Sequence, residues 1–383
     1  MIKVFSAYTR DPDNVEKAVA DVLGQLKLQG GLLRHSLGVL SFFMDFMETG
    51  VVKALSEALP FDVIGGTTSA SAIPGVNGDI VLTLTVLTSD EVIFKAGVSK
   101  PVEQDLRGAV SDLYTRLTSA LTEAPVMLLV FAPKSDAGGD AFLEELDAVS
   151  GGVPVFGAVA CSNAVDFSGI CTCFNGERHR DALVAAAIAG PIRPVFRKSL
   201  IPDTCLLNQK AVITESSKNV VKSVNGIPAA KYLESLGLID AADLNILRTA
   251  YFIVTLKDGS HAARIVHSIT PEGHLKFLAA MPEGCTLCFA NYPPDFIDGT
   301  VEESMRTLNE SVSARNAFIF SCTGRRWILG LRINIEMEKI DAAVSDSVNY
   351  HFAYSGGEFC PVQDAEGRLV NRFHNLTLTV CAF

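Results

Sequence analysis

Val39-Leu40-Ser41-Phe42-Phe43, Met127-Leu128-Leu129-Val130-Phe131 and Ala317-Phe318-Ile319-Phe320-Ser321 are three apolar runs, each followed by the same succession of signals. A mostly helical stretch comes next, then a second short strand at 62–64, 154–156 and 350–352. Gly65, Gly157 and Ala353 stand at the matching place after it. Apolar, β-branched runs at 80–87, 183–188 and 376–383 close the three copies. A helix precedes each opening strand, at 13–28, about 102–121 and from about 301 to 309 or slightly beyond. The first has apolar residues at Val15, Ala18, Val19, Val22, Leu23 and Leu26, with Asp11 or Asp13 available as a cap. Internal repetition of this kind predicts an α/β protein of helix-strand-helix-strand units forming mixed sheets, with the small residues read as turns at strand ends.

Between the second and third copies, residues 198–283 follow a different grammar. Strands at 212–214 and 220–224 end at Asn225-Gly226 and lead into a helix at 229–236. Strands at 252–256, 264–268 and 275–279 follow, punctuated by Asp258-Gly259 and Glu272-Gly273. This predicts an antiparallel insertion. Residues 193–203 hold two prolines and mixed charges, placing a boundary near 205 and dividing the chain into 1–205 and 206–383.

Composition narrows the function. Among 383 residues, 48% are hydrophobic and 20% charged, and the net charge of −11 comes without a long basic run, so neither nucleic acid nor membrane is expected as a partner. No apolar segment approaches the roughly 20 residues that span a bilayer, and residues 1–10 carry no secretory pattern, so a cytoplasmic location is expected. Nine scattered cysteines are read as reduced and mostly buried.

With these landmarks in place, the chain resembles the FIST family. The first part resembles it through Val63-Ile64-Gly65-Gly66-Thr67-Thr68-Ser69 and through Val155-Phe156-Gly157 followed by Phe174-Asn175-Gly176. The second does so through residues 220–229, Phe320-Ser321-Cys322-Thr323-Gly324-Arg325, Gly357-Glu358 and His374-Asn375. The resemblance implies a two-part small-ligand sensor for amino acids or related metabolites. It implies a stand-alone receiver that acts on a separate signalling protein such as a histidine kinase. It also leaves haem, in a nitric-oxide sensor, as an alternative cofactor to none.

Candidate ligand residues lie at strand ends, where open α/β sheets bind. Gly65, Gly66, Thr67 and Thr68 would offer amides and hydroxyls to a carboxylate or phosphate, without the lysine of a Walker loop. Cys322, Gly324 and Arg325 follow an apolar strand directly, and a guanidinium there could hold a carboxylate through two parallel hydrogen bonds. Arg326 is the weaker neighbour. Gly357 and Glu358 sit at the equivalent bend of the third copy, so Arg325 and Glu358 would hold the two ends of a zwitterion, or each other. His374 and Asn375 open the last strand. The Gly65 and Gly357 loops would be the compliant elements of a crevice between the two parts.

A cysteine-dependent enzyme using Cys322 and His374 is the catalytic alternative, although no hydrolase signature surrounds either residue, and a non-enzyme is expected. No metal spacing stands out. Cys285 and Cys288 fall on a strand, where positions three apart face opposite ways. Cys161, Cys171 and Cys173 read as core, and His261 and His267 lack companions.

Overall fold

In the computed structural model, residues 2–135, 138–163, 168–239, 251–310, 315–344 and 348–383 are described. The first unit runs β1 (Lys3–Thr9), α1 (Val15–Leu26), β2 (His35–Phe42), α2 (Asp45–Glu48), α3 (Val51–Glu57), β3 (Val63–Thr67), a hairpin of β4 (Ser71–Ile73) and β5 (Val76–Gly78), and β6 (Leu82–Ser89). The second repeats it as β7 (Ile93–Val98), α4 (Leu106–Ser119), β8 (Met127–Ala132), α5 (Gly139–Ser150), β9 (Val155–Val159), hairpin β10 (Thr172–Phe174) and β11 (Glu177–His179), and β12 (Val184–Ala189). The third opens on β13 (Val195–Ser199), is interrupted by the insertion, and resumes. The insertion holds β14 (Leu206–Ser217), β15 (Val220–Val224), β16 (Ile227–Pro228), α6 (Ala229–Ser235), β17 (Tyr251–Thr255), β18 (His261–Ile269), β19 (Leu275–Phe277) and β20 (Thr286–Ala290). After it come α7 (Pro294–Glu310), β21 (Asn316–Cys322), α8 (Thr323–Leu329), α9 (Ile335–Ala343), β22 (Asn349–Ser355), hairpin β23 (Glu358–Gln363) and β24 (Leu369–His374), and β25 (Leu378–Ala382).

Three six-stranded sheets result, ordered β1-β6-β2-β3-β10-β11, β7-β12-β8-β9-β23-β24 and β13-β25-β21-β22-β4-β5. Within each, the two central strands are parallel (β2 with β3, β8 with β9, β21 with β22) and the others antiparallel. The hairpins are exchanged around a ring: the first unit's hairpin completes the third sheet, the second unit's the first sheet, and the third unit's the second sheet. Sequence periodicity foresaw the mixed sheets and the antiparallel insertion. It missed the strand that opens each unit and the exchange, because both are long-range pairings that leave no local pattern. The exchange also means that a cut near 205 divides the second and third sheets between the two sides, while the first sheet and the barrel each stay whole. The insertion is a seven-stranded antiparallel sheet closed into a barrel by the pairing of β14 with β15.

One core joins the three sheets: Val39, Ile64, Leu129, Phe131, Phe156, Ile188, Phe318 and Phe320 are buried together. Phe320 lies 5.5 Å from Phe156 and edge-on to Phe131 at 5.8 Å between ring centroids. Its truncation to alanine should cost about 3–5 kcal/mol through lost burial and the cavity left behind. The apolar stripe of α1 buries Ala18, Val22 and Leu26, and its cap is Asn14, whose side chain accepts from the Lys17 amide, rather than Asp11 or Asp13. Asp11 instead accepts from the Asn14 amide.

Gly65 and Gly66 do not form a turn; they lie inside β3. A Cβ on Gly65 would sit 1.8 Å from the Leu40 carbonyl oxygen, and one on Gly157 would sit 1.9 Å from that of Val130. These glycines let parallel neighbours approach, so the Gly65 segment is a packed strand and not a compliant loop. No helix among the described residues is long and apolar enough to cross a membrane.

Candidate functional site

The strand ends named by the sequence do meet, but as a packed knot. The Cys161 amide donates to the Thr67 carbonyl at 3.0 Å, and the Gly356 amide to that of Val159 at 2.8 Å. The Thr68 hydroxyl lies 2.8 Å from the Tyr354 carbonyl, and Thr323 Oγ1 lies 3.3 Å from Ser69 Oγ and 3.2 Å from Cys161 Sγ. Thr67 is 3% exposed, Cys322 5% and Glu358 0%. The hydrogen-bonding capacity of Thr67 and Thr68 is spent on neighbouring backbone: Thr67 exchanges bonds with Cys171, and the Thr68 amide reaches Phe42. A shared cleft at these bends is therefore corrected to solid packing.

Arg325 does not pair with Glu358. Its side chain is wholly buried, and its Nε and Nη2 donate to Glu336 Oε1 at 2.9 and 2.7 Å. Tyr292 OH takes Nη1 at 2.8 Å, Thr300 Oγ1 takes Nη2 at 3.0 Å, and the second oxygen of Glu336 accepts from Ser321. Both prongs of the fork that would hold a carboxylate ligand are occupied by the protein. Arg326 is nearly as enclosed, donating to the Ser69 carbonyl, to Asn163 and to Asp79, with Tyr354 beneath it at 5.4 Å. Gly324 is close-packed, since a Cβ there would fall 2.7 Å from Leu376.

Glu358, His374, Asn375 and Cys322 come together between the second and third sheets. Glu358 stands opposite His374 in the β23–β24 register, and the Cys322 amide donates to Thr377, just beyond Asn375. Burial pushes the Glu358 carboxyl well above its ordinary range despite the Ser355 hydroxyl, and holds the His374 imidazole well below its own. Burial, then the neighbouring Glu358, raises the Cys322 thiol far from a thiolate. Gly357 is fixed by Phe373, whose ring would lie 2.3 Å from an added Cβ.

An open crevice exists one step away, where the strand ends of the second unit face the barrel. Pro133, Lys134 and Ser135 after β8, Val159 and Ala160 after β9, and Gly138 and Gly139 at the start of α5 form one wall. Asn219, His267, Lys276, Phe277 and Leu278 of the barrel form the other, with Gly356 and Phe373 at the edge. About 60 Å³ is open to the centres of water molecules, inside about 610 Å³ of unfilled space. The described lining residues include two lysines, Lys134 and Lys276, each of which also interacts with other protein groups. α5 is preceded by Gly138, which has φ +81° and no capping side chain, so the helix's first amides add positive potential on the same side.

Beside the crevice, Arg264 bolts the parts together. It is 1% exposed and donates to Asp140 Oδ1 at 3.2 Å, to the Phe373 carbonyl at 2.9 Å and to the Ala280 carbonyl at 3.0 Å. Asp140 Oδ2 takes the Ala280 amide at 2.6 Å. One ion pair thus joins α5, the barrel and the third unit's ribbon. Sequence reading missed Lys134, Lys276 and Arg264 because ordinary surface-type residues become a site only through the docking of the insertion. The strand-end rule was the available signal, since Lys134 is two residues past β8.

A porphyrin needs a slot of several hundred Å³ with an axial ligand at its wall. His351 and His374 are fully buried, and the crevice at His267 is too narrow. His261 borders a groove of about 450 Å³ with Leu200, Ile201, Leu206, Leu207, Ile253 and Leu287, and its Nδ1 already faces Thr255 Oγ1 at 3.1 Å. That groove is one place where the residues present fit the group; His35 borders another, more open and more polar, of about 790 Å³ with Leu32, Leu33, Leu59, Phe61 and Phe94. Among the described residues, no cluster of three or more His, Cys, Asp or Glu could hold a metal ion.

The fold defines a class: a three-sheet α/β module with exchanged hairpins, an inserted barrel and a crevice where the two meet. The chain belongs to the FIST family, its residues 37–227 matching the FIST N domain and 226–361 the FIST C domain. FIST domains are associated with sensory roles in signal transduction. No curated protein is significantly similar to the chain.

Proposed function

We propose that this chain is an intracellular, non-catalytic sensor that binds an amino acid or a related carboxylate metabolite in the crevice between its two parts. It hands the occupancy to a separate signalling protein such as a histidine kinase. The observation that carries this reading is the pairing of Lys134 from the first part with Lys276 from the second across one small crevice. A carboxylate between them would interact with both parts at once, and only the difference in affinity between two arrangements of the parts would shift their balance. The Arg264–Asp140 bolt beside it would set the stiffness against which that difference works. Nine free, buried cysteines suit a reducing compartment, and the raised Cys322 thiol speaks for packing rather than nucleophilic chemistry.

The test is a thermal-shift screen of amino acids and related carboxylates on the wild type and Lys276→Ala. A ligand at a hundredfold excess over its Kd stabilises by about 2.7 kcal/mol, and the variant should lose most of that. A screen without any shift, or a shift untouched by Lys276→Ala, removes the crevice reading.

The second reading, a haem sensor, is favoured by the apolar groove at His261, where Nε2 is the nitrogen left for iron. Bound haem would supply an iron centre for a diatomic gas. Added haem should give an intense Soret band that His261→Ala weakens; a colourless protein ends this alternative.

A further inference from the structure

Two of the buried polar clusters among the described residues are finished differently. Between the first and third sheets, His351 is fully buried and both its nitrogens are engaged, Nε2 with Ser41 Oγ at 2.8 Å and Nδ1 with Thr85 Oγ1 at 3.0 Å. Thr83 and Ser71 pair beside it at 3.1 Å. Between the second and third sheets, Glu358, His374 and Asn375 are equally buried at 0% exposure, yet Glu358 Oε2, His374 Nδ1 and both ends of the Asn375 amide have no hydrogen-bond partner. Leaving a buried polar atom unpaired is costly, so four on three adjoining residues is a debt a native core does not normally carry.

The local backbone is also held in an unusual state. Leu376 has φ +54°, a left-handed conformation that a branched side chain rarely adopts, and it fixes the turn that carries His374 and Asn375 into the interior. The Asn375 amide N–H is tied to the Ala263 carbonyl at 3.3 Å, and Thr377 Oγ1 to the Asn375 carbonyl at 2.8 Å. The main chain of the turn is satisfied while its side chains are not.

We propose that Glu358, His374 and Asn375 form an internal site for a small uncharged guest carrying both hydrogen-bond donors and acceptors, either ordered water or a carboxamide-bearing solute. The unpartnered atoms provide one certain donor, Asn375 Nδ2, one certain acceptor, Asn375 Oδ1, and two groups whose role follows the proton position. Ser355 Oγ approaches the Ser321 carbonyl at 3.2 Å and also contacts Glu358 Oε1. A neutral carboxyl can donate to that hydroxyl, leaving Oε2 as an acceptor facing the guest. A charged guest is excluded, because the nearby Arg325 is already neutralised by Glu336 and an unmatched interior charge is far costlier than an unmatched dipole.

The experiment has two readouts on the full chain. A high-resolution crystal structure should show density within hydrogen-bond distance of at least two of the four atoms, and Asn375→Leu should lower the melting temperature by about 2–4 °C as the guest is expelled. Titration with acetamide separates the sources: a saturable melting shift lost in Asn375→Leu identifies a carboxamide guest, and retained density without a shift identifies water. An interior without density overturns the proposal, as does an Asn375→Leu protein that melts higher than wild type. If Asn375→Leu does not fold, the wild-type density alone decides.

Discussion

Replacing Arg325 by alanine separates a structural guanidinium from a ligand-binding one. The side chain is fully buried and makes four hydrogen bonds, two to Glu336 and one each to Tyr292 and Thr300. Removing it leaves the Glu336 carboxylate at 0% exposure with hydroxyl partners such as Ser321 and no cation against it, an uncompensated interior charge that costs about 3–5 kcal/mol. Removing both charges in Arg325→Met/Glu336→Leu takes away the charge as well as its partner, so the double variant should be less destabilised than the sum of the singles, with a coupling of about 1–3 kcal/mol. Urea denaturation of the wild type, Arg325→Ala, Arg325→Met, Glu336→Leu and the double variant gives these numbers, with unchanged m-values as the control that the unfolded states are comparable. A loss below about 1 kcal/mol in Arg325→Ala, with the response to carboxylate ligands abolished, would refute the reasoning and return the guanidinium to the binding site.

The remaining predictions concern pH, close packing and thiols. Burial lowers the His351 pKa from 6.5 to about 3, so the unfolded chain takes up a proton before the folded one does. Stability should be full above about pH 6.5 and fall as pH drops towards 3, by about 2 kcal/mol at pH 5 from this residue alone, and the urea midpoint measured from pH 7.5 to 5 checks it. Gly65→Ala would force a Cβ to within 1.8 Å of the Leu40 carbonyl oxygen and should abolish folded expression, whereas Gly24→Ala, within α1 and with nothing within 4 Å, should stabilise by about 0.5–1 kcal/mol in thermal melts. Cys322 should resist iodoacetamide at pH 7.5 until denaturant is added, as read by peptide mass mapping; rapid labelling of the native protein would revive the cysteine-enzyme reading.

The elements of this fold were legible wherever a local rule governs them. The strands β2, β8 and β21, the β25 run and the turns at Asn225-Gly226 and Asp258-Gly259 follow from apolar runs and turn chemistry. What lay beyond reach was partnership. Nothing in Ser71-Ala72-Ile73 announces that its sheet lies beside Phe352, nearly three hundred residues on. The same limit governs the site. Glu358 stands opposite His374, and the Cys322 amide reaches Thr377 just beyond Asn375. Whether Arg325 faces solvent or Glu336 depends on where α9 sets Glu336 when it packs on α7, which no spacing encodes. Glycine was the most misleading residue, because the same freedom that opens a turn also lets two strands close on each other, as at Gly65.

The ring of exchanged hairpins has a consequence for synthesis. The second sheet has four of its strands once Ala189 has left the ribosome, but β9 stays an unprotected edge until the ribbon ending at His374 arrives. At ordinary elongation rates that wait is roughly 10–40 s, long compared with hairpin formation in microseconds. Throughout it, the nascent chain exposes a pairing edge flanked by Phe156 and Val159, so its yield in the cell should depend on chaperones that shield such edges.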